Sequence, residues 1–207
     1  MHCMFKQIHP PTGIEHCIYA HFFNWETTNL ITAGTNQLHV YLLNSEPELV
    51  CHDGTMQPLP VDKEENKTRL ECLATYSFHG SIQSLAAIKL AGANRDVLLL
   101  SFMDAKLSVV EYDPSTHDLK TRSLHQFEEH ELKGGYTSNI HLPIVRTDPD
   151  GRCAGMLIYG THLVVLPFRK DAAIDDLDTL AGTTGKSPIM SSYTIDLRKW
   201  MKESSTS

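Results

Sequence analysis

Apolar residues occur in short runs between polar turns along much of the chain, and residues 92–127 show this pattern most fully. Residues 97–102 are a short, mostly apolar run, which is typical of a strand covered on both faces. Residues 107–112 follow at hairpin spacing. Residues 113–116 (DPST) predict a turn, because Asp can bond its own backbone two residues on and Pro presets φ. Residues 119–127 then predict an edge-like strand with mixed faces.

This unit occurs three times. An apolar run, a small or polar turn and the motif Leu-x-Val occupy residues 29–41, 97–109 and 153–165. Each unit has an apolar stretch before it and another candidate strand after it. The stretches before are residues 18–23, 82–88 and 140–145, and those after are residues 70–78, 119–127 and 192–197. The repeats predict an all-β fold, a partial β-propeller of about three four-stranded antiparallel blades. The predicted blades span about residues 14–78, 82–127 and 140–197.

The uneven spacing of the units predicts two long insertions, at residues 44–69 and 169–191. The first contains three prolines and a charged run, so we expect an exposed, irregular and disordered loop there. A propeller closes with about four to eight blades, so 207 residues are too few for a ring. We therefore expect part of a larger protein, with residues 202–207 a truncated or alternative end. Unpaired edges, at residues 192–197 and the first strands, predict association or partial disorder of the chain alone.

Charge disfavours direct nucleic-acid binding. Lys and Arg number 18 against 25 Asp and Glu, a formal charge of −7. Nucleic-acid modules concentrate basic side chains on one face, because affinity comes largely from counterion release. The longest basic cluster, Arg169-Lys170, precedes an acidic segment that includes Asp171 and Asp175. A basic patch assembled from distant residues stays open.

The cysteine pattern and the N-terminus indicate the compartment. Five cysteines, an odd number without a CxxC pair, favour a reducing environment. They are Cys3, Cys17, Cys51, Cys72 and Cys153. Residues 1–6 do not resemble a secretory signal, and no apolar run is long enough for a membrane span. We therefore expect a cytosolic or nuclear chain without a membrane partner.

No residue pattern predicts a catalytic, cofactor or metal site. His16-Cys17 and Cys51-His52 are adjacent pairs, and adjacent residues on a strand point to opposite faces, which disfavours zinc. No cysteine lies in a recognisable nucleophile signature. Residues 148–151 begin like a calcium loop, but Arg152 follows and no Glu closes the loop, so a tight turn is favoured. Residues 66–68 match a glycosylation sequon, which we attribute to chance because no secretory signal accompanies it.

The aromatic residues near the first and fourth strands allow two interpretations. Phe22, Phe23, Trp25, Tyr76 and Phe78 could stack on the bases of single-stranded RNA. No basic groove accompanies them, and Phe22, Tyr76 and Phe78 fall on predicted strands. Packing between blades is therefore the favoured interpretation.

Four long segments carry a resemblance to a known family. They are KQIHPPTGIEH, NLITAGTNQLHVY, SLAAIKLAGANRDVLLLSFMDAKLSVVEYDPSTHDLKT and VRTDPDGRCAGMLIYGTHLVVLPFR. The chain closely resembles the N-terminal end of the largest subunit of the cleavage and polyadenylation specificity factor. The large subunit of the damaged-DNA-binding complex shares a looser version of the same core. The family continues past residues 195–197 into further blades, whereas this sequence ends soon after them.

The resemblance implies a function for the whole chain, residues 1–207, as the N-terminal part of a first β-propeller. It implies a nuclear, non-catalytic scaffold in pre-mRNA 3′-end cleavage and polyadenylation. The implied partners are a WD-repeat subunit and a zinc-finger subunit, which read most of the AAUAAA signal, so pre-mRNA contact would be mainly indirect. No partner-binding residue is implied. Two alternatives stay open: a scaffold of another nuclear complex, such as a ubiquitin-ligase adaptor or a splicing factor, and a propeller-based enzyme.

Overall fold

A computed structural model describes residues 13–46, 49–52, 55–58, 67–133, 142–170 and 188–199. Within these residues the chain forms fourteen strands and one bounded short helix, and residues 197–199 are also helical. In chain order they are β1 (His16–Ala20), β2 (Asn29–Gly34), β3 (Gln37–Glu46), β4 (Leu49–His52), β5 (Thr55–Pro58), β6 (Lys67–Ser77), β7 (Ile82–Lys89), β8 (Asp96–Phe102), β9 (Lys106–Asp113), β10 (Asp118–Gln126), α1 (His130–Lys133), β11 (Ile144–Thr147), β12 (Cys153–Ile158), β13 (His162–Pro167) and β14 (Tyr193–Asp196).

Twelve of these strands form three four-stranded antiparallel sheets, which are the three blades. Blade 1 has the order β1-β2-β3-β6, blade 2 has β7-β8-β9-β10, and blade 3 has β11-β12-β13-β14. Strands β4 and β5 pair with each other in a separate two-stranded sheet. The predicted all-β partial propeller with three four-stranded blades is confirmed.

The local sequence accounts for the turns that join the strands. Between β8 and β9, Asp104 and Ala105 both adopt a positive φ, which closes a tight hairpin. After β9, the Asp113 carboxylate accepts a hydrogen bond from the Ser115 backbone N–H at 2.9 Å, as its turn motif predicts. At the start of blade 3, the Gly151 N–H bonds the Asp148 carbonyl at 3.0 Å. Residues 148–151 are therefore the tight turn that the sequence favoured.

The core consists of two clusters, one on each side of blade 2. Successive residues of β8 point to opposite faces, so Leu98 and Leu100 pack toward blade 1 while Val97 and Leu99 pack toward blade 3. Residues 97–101 are all buried as a result. The middle blade is thus covered on both faces, which explains its unbroken apolar run.

The first strands of the blades, β1, β7 and β11, lie next to one another at the inner edge of the arc. Hydrogen bonds also cross between neighbouring blades beside these strands. Blades 1 and 2 are joined at His21 and Asp96, where each backbone N–H donates to the other residue, at 2.8 and 2.9 Å. Blades 2 and 3 are joined by the buried Ser101 hydroxyl, which donates to the Pro143 carbonyl at 2.6 Å. The blades therefore stand side by side in the order of the sequence.

The first predicted insertion, residues 44–69, contains more regular structure than its prolines suggest. Strand β3 runs through Glu46, β6 begins at Lys67, and β4 pairs with β5 between them. The prediction of an irregular loop is therefore wrong where these strands form. Cross-strand pairing satisfies backbone groups here in spite of Pro58, which stands at the end of its strand.

Several predicted strand ends also shift. The first strand ends at Ala20, so Phe22 and Phe23 follow it, and Phe78 follows β6. Strand β11 begins at Ile144, after the buried Pro143. Residues 140–141 and 171–187, within the predicted third blade and second insertion, lie outside the described residues, as do residues 202–207.

Candidate interaction surface

Each outer blade has one face that packs on blade 2 and one face that no described element covers. On blade 3, alternate residues of β12 and β13 are buried, and the residues between them are half-buried. The register places these half-buried residues in one patch, because cross-strand partners share a face. We call it the free face of blade 3, formed by Ile144, Leu157, Leu163, Val165, Tyr193 and Ile195. Tyr193 is 55% exposed.

The opposite end of the arc carries a second such patch. The register groups residues of the first, second, third and sixth strands on the side of blade 1 that faces away from blade 2. We call it the free face of blade 1, formed by Tyr19, Leu30, Tyr41, Leu43 and Leu70. Tyr19 is 69% exposed. Both ends of the arc therefore present large apolar side chains to their surroundings.

Two clefts lie beside the inner strands. The first has a volume of about 540 Å³ and lies between β1, β7 and β11, with Cys17, Tyr19 and Arg146 among its lining residues. Arg146 donates to the Val145 carbonyl at 2.7 Å. The second, of about 560 Å³, includes Lys89 and Asp148. In the described part of the chain, no group of three or more His, Cys, Asp or Glu side chains could hold a metal ion.

Several charged side chains of the described residues form local ion pairs, one of them at Asp148 in the second cleft. The Arg152 guanidinium donates to both Asp148 oxygens, at 2.7 and 3.0 Å, and holds the pKa of that carboxyl below its usual range. Hydrogen bonds from Arg198 lower the pKa of Asp196 to about 2. Lys106 pairs with Glu128 at 3.0 Å, and this hydrogen bond raises the lysine pKa. The shifts keep Asp148, Asp196 and Lys106 charged near neutral pH, so none of these three side chains is poised as an acid or a base.

One arrangement in blade 3 resembles a hydroxyl, imidazole and carboxylate series. Thr161 Oγ1 lies 2.9 Å from His162 Nδ1, and His162 Nε2 lies 3.9 Å from Asp196 Oδ2. The second distance is too long for a hydrogen bond, and the Asp196 carboxylate accepts hydrogen bonds from Arg198 instead. His162 is also buried, with 5% of the residue exposed. The group therefore links β13 to β14, and its geometry does not suit nucleophilic catalysis.

The aromatic residues singled out in the sequence divide into two groups. Phe22 is fully buried between blades 1 and 2, with ring centroids 6.4 Å from Tyr76 and 5.9 Å from Tyr112. Burial raises the pKa of Tyr76 to about 12. Phe23 and Phe78 pack against the same cluster. Trp25 stands apart and is 64% exposed. Blade packing is therefore confirmed for all of them except Trp25.

Both histidine and cysteine pairs lie on strands, and Cys51-His52 does so within the segment for which the sequence predicts an irregular loop. His16 is half-buried and Cys17 is exposed, which fits neighbouring positions on β1. Cys51 and His52 both belong to β4. Cys72 and Cys153 are free thiols on β6 and β12. Asn66 of the sequon lies outside the described residues, as does Cys3.

The two free faces were not predicted from the sequence. The sequence does contain a signal for the free face of blade 3, because β12 and β13 have apolar residues at the half-buried positions as well as at the buried ones. A sheet with one solvated face has polar residues there, whereas Leu157, Leu163 and Val165 are apolar. This difference predicts that another protein segment packs against this face.

Comparison with known families decides what kind of propeller this is. The family model described as the RSE1/DDB1/CPSF1 first beta-propeller matches residues 13–191. The chain belongs to this family. The match covers all three blades except the end of blade 3, and it confirms the resemblance to the cleavage and polyadenylation specificity factor subunit that the sequence motifs indicated.

Curated relatives give the same assignment. The "Cleavage and polyadenylation specificity factor subunit 1" of Drosophila melanogaster is 46% identical over 96% of this chain and 14% of its own length. The "Probable cleavage and polyadenylation specificity factor subunit 1" of Caenorhabditis briggsae is 34% identical over 83% of this chain and 12% of its own length. The Arabidopsis thaliana protein of the same name as the first is 29% identical over 94% of this chain and 16% of its own. The chain thus spans less than a fifth of these relatives.

No helix in the described part of the chain is long and apolar enough to cross a bilayer.

Proposed function

We propose that this chain acts in pre-mRNA 3′-end cleavage and polyadenylation as a nuclear, non-catalytic scaffold segment. The observation that carries the proposal is the 46% identity, over 96% of the chain, to a cleavage and polyadenylation specificity factor subunit. Identity of this extent supports a shared role in the same machinery. The family description also names related propellers, but the relatives quoted above all carry the polyadenylation name.

We propose further that the chain helps to hold a WD-repeat subunit and a zinc-finger subunit, and that those subunits read the AAUAAA signal. Two properties of the chain support this proposal. It has a formal charge of −7, and its described surface exposes several large apolar side chains, which suits protein binding better than phosphate binding. Exposed Leu43, Leu70 and Leu73 on the ribbon formed by β3 and β6 are candidate anchors.

The experiment is affinity purification of the tagged chain from nuclear extract, followed by mass spectrometry with and without ribonuclease. We expect the 3′-processing subunits in the eluate, and we expect ribonuclease to leave them there, because the contacts are between proteins. Recovery of ubiquitin-ligase or splicing subunits instead would contradict the proposal. The double variant L43E/L70E tests the anchors, with Trp25→Glu as a control for an exposed apolar residue elsewhere.

RNA binding by the chain alone is tested separately. The purified chain is titrated into labelled RNA containing AAUAAA and into RNA with a point-substituted signal. We expect no binding to either RNA in the absence of the partners. Binding that prefers the AAUAAA sequence would show that the chain itself reads the signal and would overturn this part of the proposal.

A further inference from the structure

The outer edge of blade 1 belongs to β6, the last strand in the order β1-β2-β3-β6. With eleven residues it is the longest of the described strands, and no other described strand pairs with its outer edge. Neighbouring blades meet through their faces, and their first strands lie together at the inner edge of the arc. Further blades extend such an arc through its end faces, so they would leave the outer edge of β6 uncovered.

Blade 2 offers a matched edge for comparison, because β10 is its outer strand. Each of these outer strands has one extra residue in its ladder, Leu73 in β6 and Arg122 in β10. Arg122 pairs with Glu111 of the neighbouring strand at 3.3 Å, whereas Leu73 is 43% exposed. The register places Leu42 where blade 2 has Glu111. A charged side chain on an edge strand discourages further strand pairing, and at this position only blade 2 has one.

The outer strand of blade 3 is protected in another way. Strand β14 has four residues, and the helical residues 197–199 follow it directly. Short edge strands offer little backbone for pairing. In contrast, residues 72–77 of β6 contain no charged residue and no proline, since Lys67, Arg69 and Glu71 all precede them. Among the three outer edges, that of β6 is therefore the one open to another strand.

We propose that the outer edge of β6 binds an extended segment of a partner protein, which adds a fifth strand to blade 1. Edge backbone groups recognise an extended main chain, because only a strand matches their spacing. Exposed Leu70 and Leu73 contact apolar side chains at alternate positions of this segment. The inference rests on the proposed function for the origin of the partner in the 3′-processing machinery, but not for its extended form.

The test begins with a probe that does not depend on that machinery. A phage-displayed library of random peptides, each of about ten residues to match β6, is selected on the purified 207-residue chain. We expect the selected peptides to be rich in β-branched and aromatic residues and to lack central proline. Their affinity is then measured by fluorescence anisotropy with synthetic, labelled peptides.

A pair of variants locates the peptide on the chain. Leu73→Arg gives β6 the residue that β10 has at the matched position, and it should weaken peptide binding about tenfold. Leu124→Arg is the matched control on β10, where the leucine is 59% exposed, and it should leave binding unchanged. Circular dichroism checks the β-structure of both variants.

Methylation of the peptide backbone tests strand pairing with the chain unaltered, so it does not depend on how a variant folds. Alternate N–H groups of a strand point to opposite edges. Methylating the set that faces β6 should abolish binding, and methylating the other set should leave binding intact. Peptide binding should also slow amide hydrogen exchange in β6 and leave exchange in β10 unchanged.

Several results would overturn the proposal: no selected peptide, equal binding of the two methylated sets, or equal weakening by Leu73→Arg and Leu124→Arg. Dimerisation of the chain that Leu73→Arg abolishes would show that a second copy occupies the edge. The proposed function is judged separately. Peptide binding at β6 without recovery of 3′-processing subunits from nuclear extract would contradict that function and leave the edge site standing. Recovery that Leu73→Arg does not reduce would contradict the edge site alone.

Discussion

Blade 2 and blade 3 have the same strand order but differ in how many of their faces are covered. In blade 2, residues 97–101 of β8 are all buried, because a neighbouring blade lies on each side. In blade 3, burial alternates along β12 and β13, because among the described residues blade 2 alone lies against it. Strand pairing is therefore confined to each blade. The apolar area that a blade buries, and so its contribution to the stability of the fold, depends on how many neighbouring blades cover it.

The largest effect is expected at the contact between blades 1 and 2. Phe22→Ala removes a fully buried ring that meets Phe23, Tyr76 and Tyr112, and should lower the free energy of unfolding by about 3–5 kcal/mol. Urea unfolding at one fixed chain concentration measures the change. Trp25→Ala, at an exposed position close by, should change it by no more than about 0.5 kcal/mol. Equal effects of the two substitutions would contradict the assignment of Phe22 to the core.

The second largest effect is the difference in stability between substitutions in blade 2 and in blade 3. Leu99→Ala in β8 should lower the free energy of unfolding by about 2–5 kcal/mol, because the side chain is fully buried toward blade 3. Leu163→Ala, at a half-buried position on the free face of blade 3, should cost about 1 kcal/mol or less in the monomer. The measurement is again urea unfolding, at concentrations low enough to prevent association. A cost at Leu163 as large as that at Leu99 would mean that the free face is covered within one chain.

A smaller effect is expected from the polar contact between blades 2 and 3. Ser101→Ala removes the donor to the Pro143 carbonyl, which lies 2.6 Å away in a buried setting. An unsatisfied buried carbonyl costs about 1–3 kcal/mol, so thermal unfolding should occur at a lower temperature. Ser192→Ala, at an exposed position before β14, serves as the control. No difference between the two variants would show that the Ser101 bond adds nothing to the blade contact.

The smallest effect concerns Asp196, at the edge of blade 3. Its pKa in the folded chain is about 2, below the ordinary value of 3.8, because Arg198 donates to it. A lowered folded-state pKa means that the pairing stabilises the fold above pH 3.8, and that this contribution disappears as the pH falls toward 2. The melting temperature of the wild-type chain should therefore fall more steeply over this interval than that of Asp196→Asn. Parallel pH profiles would show that the Arg198 contact does not contribute.

Much of this architecture follows from the sequence, because each blade is built from local hairpins. The unbroken run at residues 97–102 predicts a strand covered on both faces, and the structure confirms it. The turn at Asp113 is equally local and equally predictable. The course of β3 through Glu46 and the pairing of β4 with β5 could not be predicted from the sequence. The prolines in this segment favour turns more strongly than its other residues favour strands.

The candidate surface could be predicted only in part. Phe22 and Trp25 are both aromatic residues in the same short segment, and the local sequence does not distinguish them. Phe22 is buried because it contacts residues far along the chain, such as Tyr112, whereas Trp25 is exposed. The approach of Asp196 to His162 likewise depends on the pairing of β13 with β14 across the second insertion. The family resemblance carries the proposed function, which the residue pattern alone does not indicate, because a non-catalytic scaffold of the kind proposed would have no reactive constellation to recognise.

The division of the core into two clusters, which share only blade 2, has a consequence for motion. Blade 3 can open away from blade 2 without disturbing the residues around Phe22, and blade 1 can open without disturbing those around Met156. Amide hydrogen exchange should therefore divide into three rates, with the slowest at the amides of β8 and faster exchange at β2 and β12. The ends of the arc would loosen independently while its middle stays closed, as repeat proteins fray from their termini.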